Sequence, residues 1–382
     1  MAVNLIRNAR VFFSSYVDAT TGYLKTTGGM TTSNTFEIQV LDGMTFTQDT
    51  TTETVTINES GDTPKRGQEG FNTALNPVSF SFSTYMKPAF TGTNNTAEEA
   101  PLWNALTSNA ALADANGWTN GTGTGVAATV DFEASDKNQL QKFALIIAMD
   151  DTTFVIQNCV LGEATIDFGL DGIATIAWSG QGAAIERKAA LTVGTPTGSG
   201  GSEGLTAAWL TITGGANAAK ARITDDCFYL ANKLSVLSLT YSGDNYTLAI
   251  TGGNITISNN VTYLTPATVG IVNKPFTYFT GTRAITGSVS AYLRAGSGQT
   301  GNLFDDLVTD SATTDQPVGN MTLNIGGSSS APVRVAMTSD RTMFTIPNIT
   351  TDQIVGTTIN FTCMGTSLDD ADELTFSYYA GV

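Results

Sequence analysis

The run NPVSFSFSTYM (76–86) alternates: Val78, Phe80 and Phe82 fall on one side, and Ser79, Ser81 and Ser83 on the other. A period of two is the pleat of a β-strand with one buried and one wetted face. Two hundred residues later RAITGSVSAYL (283–293) repeats the outline, with Ile285, Gly287, Val289 and Ala291 opposite Thr286, Ser288 and Ser290. Aligning Tyr85 on Tyr292 sets Val78 on Ile285 and Phe82 on Val289, so the inward faces are in phase. A one-residue slip would turn every side chain to the wrong face.

Three more matches follow in the same order. Leu102, Trp103 and Leu106 correspond to Leu303, Phe304 and Leu307, each trio on one side of a short helix, with Pro101 suited to a first helical turn. FVIQN (154–158) reads against FTIPN (344–348), and Ala174, Ile176, Trp178 against Ile359, Phe361, Cys363. Ordered matches with drifting offsets predict an internal duplication. The Gly/Ser-rich stretch GTPTGSGGSEG has linker composition and is expected to separate a first domain (1–193) from a second (205–382), with 194–204 as the linker. The expected class is mainly β (α+β), two related β-rich domains with one short helix each.

At 382 residues and 41% hydrophobic, the chain has the material for a sizeable core. A formal charge of -16 disfavours wrapping nucleic acid or lying on anionic lipid, since both need basic surface. Histidine is absent, which removes the usual base near neutral pH and the commonest metal ligand. Cys159, Cys227 and Cys363 are far apart and are expected to be small buried residues of a reducing compartment. MAVNLIRNARVFF is not a secretory signal, and no run approaches the ~20 apolar residues that span a bilayer. Synthesis in a cytoplasm, without membrane insertion, is expected.

Sites for chemistry are missing. NGTGTG (120–125) matches no phosphate-binding loop. SLDDADEL (367–374) lacks the glycine and the terminal bidentate glutamate of an EF-hand loop and reads as a solvated acidic turn. Asp305 and Asp306 read as the wet side of the second helix. No nucleophile elbow or identifiable carboxylate pair is present. Neither catalysis nor any cofactor or metal is expected.

The most informative stretch is NTFEIQVLDGMTFTQDTTTETVTINESG (34–61). Phe36, Ile38 and Val40 alternate into a core. The strand that follows is rich in threonine, which favours extended structure but has little to bury. A protruding hairpin completed by another subunit is one solution, an ordinary solvated edge hairpin the other. Thr45, Thr47, Thr50, Thr52, Thr54 and Thr56 are the candidate assembly residues.

FEIQVLDGMTFTQDTTTETVTINESG with RGQEGFNTALNPVSFSFSTYMKP resembles the first half of a double-domain phage tail tube protein. GGNITISNNVTYLTPATVGIVNKPFTYFTGTRAITGSVSAYL (252–293) resembles the second half. The resemblance covers most of the chain. It implies a β-sandwich or half-open barrel in each half, with a flanking helix and a long hairpin. It further implies rings of six such domains with a continuous inner β-barrel, stacked through the hairpins. The second half departs from this pattern in lacking a Thr-rich hairpin before Tyr292; the stretch in the counterpart position, LTPATVGIVNKPFTYFTG (264–281), is more apolar and has two prolines.

The resulting expectation is a structural virion protein that polymerises as stacked rings into the tail tube, the conduit for DNA ejection. A chain with two domains supplies a six-domain ring as a trimer, so pseudo-sixfold rings with an acidic bore are expected. Further partners implied are the tape measure, tail terminator, distal tail or baseplate proteins, a sheath if the tail contracts, and genomic DNA passing without specific binding. The alternative reading is a glycan-binding β-sandwich adhesin of a virion or cell surface, with the four tryptophans stacking on sugars. A carbohydrate-active enzyme is a third class, for which the sequence identifies no carboxylate pair.

Overall fold

The computed structural model describes residues 8–25, 29–55, 69–109, 112, 117–132, 140–210, 216–313, 316–351, 354–368 and 370–381. The chain is mainly β. In the first part, β1 (Arg10–Ser14), β2 (Thr35–Ile38), β3 (Thr45–Thr47), β4 (Thr50–Val55), β5 (Glu69–Leu75) and β6 (Val78–Tyr85) precede helix α1 (Ala100–Thr107). Then come β7 (Phe143–Ala148), β8 (Thr152–Asp167), β9 (Thr175–Gly182) and β10 (Ala184–Ala189). In the second part, β11 (Val236–Tyr241), β12 (Asp244–Leu248), β13 (Ile250–Ser258), β14 (Thr262–Leu264), β15 (Thr277–Phe279) and β16 (Ala284–Tyr292) precede α2 (Thr300–Ser311). β17 (Val318–Ile325), β18 (Val333–Phe344), β19 (Asn348–Thr350), β20 (Gly356–Cys363) and β21 (Thr375–Ala380) complete it.

Two ladders organise the first part. One runs β2–β1–β7–β8–β10, and the other β3–β6–β9–β8. The sixteen-residue β8 serves both, its beginning in the first and its end in the second. The second part runs β12–β11–β17–β18–β21 and β13–β16–β20, with β18 and then β19 on the far side of β20. A one-residue bulge interrupts β8 at Gly162 between Leu161 and Glu163. The residues between Phe344 and Asn348, including Pro347, shift the β20 register by one in the same place.

Alternation dictates what these ladders bury. Phe80 and Phe82 of β6, Trp178 of β9, Val289 of β16 and Phe361 of β20 point into one core. There they meet rings from the other ladder: Phe80 lies 6.2 Å from Phe143 and Phe46 lies 5.5 Å from Phe154, centroid to centroid. Each such side chain removed from water contributes about 1.5–3 kcal/mol. The strand layers are open, not closed into a barrel.

Counted along the ladders from Phe82 and Val289, Trp178 stands where Ile359 stands, because each lies directly across from one of that pair. The sequence match that set Trp178 on Cys363 is therefore displaced by four residues. It keeps the inward phase because four is even. The same count sets Phe154 on Met337 rather than on Phe344.

The helices differ in environment. α1 carries a proline in its first turn, as expected, and all eight of its residues are buried. α2 buries Thr300, Leu303 and Leu307 and leaves Asp305 and Val308 exposed. Asp306 is not simply wetted: it is partly buried and accepts a hydrogen bond from the Tyr246 hydroxyl.

Residues 194–204, of linker composition, form the connection of a hairpin. Thr192 and Val193 pair with Thr206 and Leu205, and Ser202–Thr206 pairs onward with Asn217–Lys220. Glu203 of this stretch is buried and receives Arg10 at 2.6 Å, while Arg10 also holds Glu37 at 2.8 Å. Cys159 and Cys363 are buried, Cys227 is half-buried, and none forms a disulfide. No helix among the described residues is long and apolar enough to cross a membrane.

Candidate functional site

The end of β8 pairs with β13, so one sheet crosses from the first part into the second: β3–β6–β9–β8–β13–β16–β20–β19. At this crossing Ala164 opposes Ile257 and Ile166 opposes Ile255, all four fully buried. The alternate positions, Glu163, Thr165 and Asp167, oppose Ser258, Thr256 and Asn254 on the other face.

That other face is lined by hydroxyls and amides. β3 and β6 contribute Thr45, Thr47, Ser79, Ser81 and Ser83. β16 contributes Thr286, Ser288 and Ser290, and β20 Thr358, Asn360 and Thr362. Neighbouring strands exchange side-chain hydrogen bonds. Thr45 with Ser81 (2.9 Å), Thr47 with Ser79 (3.0 Å) and Thr165 with Thr256 (3.0 Å) are hydroxyl pairs. Ser288 donates to the Asn254 carbonyl oxygen at 3.1 Å. No lysine or arginine occupies these strand positions, and the carboxylates among them are Glu163 and Asp167. Such a face is wet and weakly anionic, and at these positions it sets no cation against a phosphate.

The candidate assembly threonines divide between two structures. Thr45 and Thr47 belong to β3 and to this sheet, not to a protruding hairpin. Thr50, Thr52 and Thr54 lie in β4, exposed, and β4 pairs with β5 as a separate two-stranded hairpin. Thr56 lies outside the described residues. β14 and β15 form a second hairpin between β13 and β16, in the position the first hairpin holds between β3 and β6. The Leu75 N–H donates to the Asn273 carbonyl and the Asn273 N–H to that of Thr73, so the two hairpins are joined. The second is the more apolar, exposing Val269, Ile271, Val272 and Phe276.

Both ends of the eight-strand sheet are short and free. Among the described pairings β3 has only β6 and β19 only β20. Near the β19 end Ile346, Ile349, Ile354 and Val355 stay exposed, Ile349 at 46%. An unpaired edge carrying exposed apolar side chains is a template for another strand.

The buried charges elsewhere are structural. Lys87 holds Glu98 at 2.6 Å. Burial works against the Lys87 charge, but the Glu98 charge and hydrogen bond outweigh it and raise the Lys87 pKa. Burial pushes the Glu99 carboxyl up to about 7, although the Lys87 N–H donates to it. In the acidic turn, Asp372 accepts from the Thr366 hydroxyl and Glu373 pairs with Arg283. No group of three or more potential metal ligands occurs among the described residues.

The crossing strands Glu163–Asp167 and Asn254–Ser258 were not singled out from sequence. Their alternation in EATID and NITIS was a usable signal, but nothing local says that they are neighbours.

No family profile matches the sequence. Among curated proteins the chain is similar to the tail tube protein pb6 of Escherichia phage T5. The two are 30% identical over 381 residues, covering 98% of this chain and 75% of that protein. Among solved structures, a chain of the anti-feeding prophage baseplate, seen by cryo-electron microscopy, is 11% identical. It covers 34% of this chain and 87% of its own, with a TM-score of 0.27, a likeness too slight to bear on the fold.

Proposed function

The chain belongs to the phage tail tube proteins, and from that premise we propose that it polymerises into stacked rings whose bore conducts DNA during ejection. The observation that carries the reading is the eight-strand sheet with one buried face, one cation-free hydroxyl face and two free ends. Joining the ends of successive copies closes a ring and removes the exposed edges. The hydroxyl face then lines the bore. A lining without lysine or arginine releases no counterions from passing phosphates, so DNA slides without being held.

The two parts are related domains, 1–193 and 205–382, arisen by duplication. The support is the shared order of their ladders, with the register bulge in the same place. Three copies then make a pseudo-sixfold ring. Rings stack through the paired hairpins, β4–β5 and β14–β15. Tape measure, terminator, distal tail or baseplate proteins, and a sheath in a contractile tail, are the partners of such a tube. An adhesin reading has less support, since Trp103, Trp118 and Trp178 are buried and face no solvent.

Electron microscopy of the purified protein tests the proposal. Rings or tubes with three chains per layer are expected. Monodisperse single chains at high concentration, or six chains per layer, would overturn it in whole or in part.

A further inference from the structure

The chain contains one completed crossing between its two parts and, at its two ends, the halves of another. We infer that the internal crossing is the template for the contact between copies, and that it sets the strand register of that contact. The inference rests on the ring reading above and adds which residues meet.

The ladders fix the correspondence. Setting Phe82 on Val289, the count along β6–β9–β8 and β16–β20–β19 places Thr165, Ile166 and Asp167 on Asn348, Ile349 and Thr350. The count along β3–β6 and β13–β16 places Thr45, Phe46 and Thr47 on Asn254, Ile255 and Thr256. Inside the chain, Thr165 opposes Thr256, Ile166 opposes Ile255 and Asp167 opposes Asn254. Between copies, Asn348 therefore opposes Thr47, Ile349 opposes Phe46 and Thr350 opposes Thr45 of the next chain, antiparallel.

The chemistry matches position by position. Ile166 is fully buried in the internal crossing, whereas Ile349 is 46% exposed in the single chain and lacks only the partner strand. Asn348 facing Thr47 repeats the polar pair Thr165–Thr256 on the hydroxyl face. Pro347 follows the bulge and offers no N–H, which bounds the new ladder on the side before Asn348.

The helices provide a second, independent observation. In the internal crossing α1 lies against β21: Trp103 is 4.7 Å from Phe376, and its indole donates to the Tyr378 hydroxyl at 2.7 Å. α2, the counterpart of α1, has its outer side uncovered and presents Asp305 there, while Asp306 is held by the Tyr246 hydroxyl. The strand that corresponds to β21 is β10, because Phe376 opposes Met337 as Arg187 opposes Phe154. Arg187 is exposed on the face that α2 of a neighbour would cover. Asp305 of the helix meeting Arg187 of the strand gives this contact a charge complementarity that the internal one does not use, and so a defined partner.

Paired cysteines test the register in full-length protein carrying Cys227→Ser. In one chain β3 and β19 are separated by seven strand-to-strand steps of about 4.8 Å, so any disulfide joining them links two chains. T47C/N348C places the cysteines directly opposite, within the ~4.4–6.8 Å Cα span of a disulfide. T47C/T350C displaces them by two residues, to ~7–8 Å. After assembly and mild oxidation, T47C/N348C is expected to run as covalent dimers and trimers without reductant, while T47C/T350C stays monomeric. Rings seen by microscopy with T47C/N348C unlinked, or with both variants linked equally, would overturn the register and leave the ring reading standing. Absence of rings from the Cys227→Ser parent and the unmodified protein alike would overturn both.

Discussion

Phe80 lies directly across the ladder from Gly180, and a Cβ on that glycine would sit 2.5 Å from the phenyl Cζ. The corresponding position of the second part reverses the two: Gly287 lies across from Phe361, whose ring tip fills the space a Cβ would need. One ring and one glycine occupy each of these layers, on opposite strands. Close packing explains why: two rings overfill the layer, and two glycines leave a void.

Gly180→Ala is therefore expected to destabilise the subunit by about 1–3 kcal/mol through overpacking, and Phe80→Ala by about 3–5 kcal/mol through the cavity. The double variant should cost less than the two together, since the vacated ring space admits the new methyl. A remainder persists, because the Val160 carbonyl also crowds that site. Urea unfolding of the three variants measures the coupling, and strict additivity would contradict the shared-space account.

Glu99 predicts a pH dependence. Burial raises its folded pKa to about 7 from an ordinary 4.5, so the folded state holds a proton that the unfolded state has released. Its contribution is fully present below pH 4.5 and is lost as pH rises toward 7. The full span is about 3 kcal/mol. Glu99→Gln should remove this component, so the difference in unfolding free energy between wild type and variant should change with that sign between pH 4.5 and 7. A difference independent of pH would contradict it.

Cations placed on the hydroxyl face should make the tube sticky. Ser81→Lys with Thr286→Lys adds two positive charges per chain at exposed positions. Assembled tubes of this variant are expected to retain a short DNA duplex at low salt and to release it steeply as salt rises. Wild-type tubes should retain none. Equal retention by both would argue that this face does not line the bore.

Replacing residues 51–74 by a short Gly/Ser turn removes all but the first residue of β4 and all but the last of β5, and leaves β3 and β6 in the sheet. Circular dichroism and thermal unfolding should report a folded subunit, and microscopy should show single rings that no longer stack. Full-length tubes from this variant would count against the hairpin as a stacking element.

The sequence alone determined which way side chains face. The pleat is local: Val78, Phe80 and Phe82 alternate with serines whatever lies beside them, so strand content, buried face and helix positions could be read directly. The same periodicity told nothing about neighbours. Thr45 and Thr47 look like the rest of a threonine-rich hairpin, yet they join the large sheet through Ser81 and Ser79, while Thr50, Thr52 and Thr54 do not. Trp178 read against Cys363 has the right parity and the wrong place. Only the tertiary structure decided these points, together with the crossing of β8 onto β13. Ladder hydrogen bonds join main-chain groups that every residue except proline carries, so which strands pair is settled by how rings, glycines and bulges fit across the whole sheet.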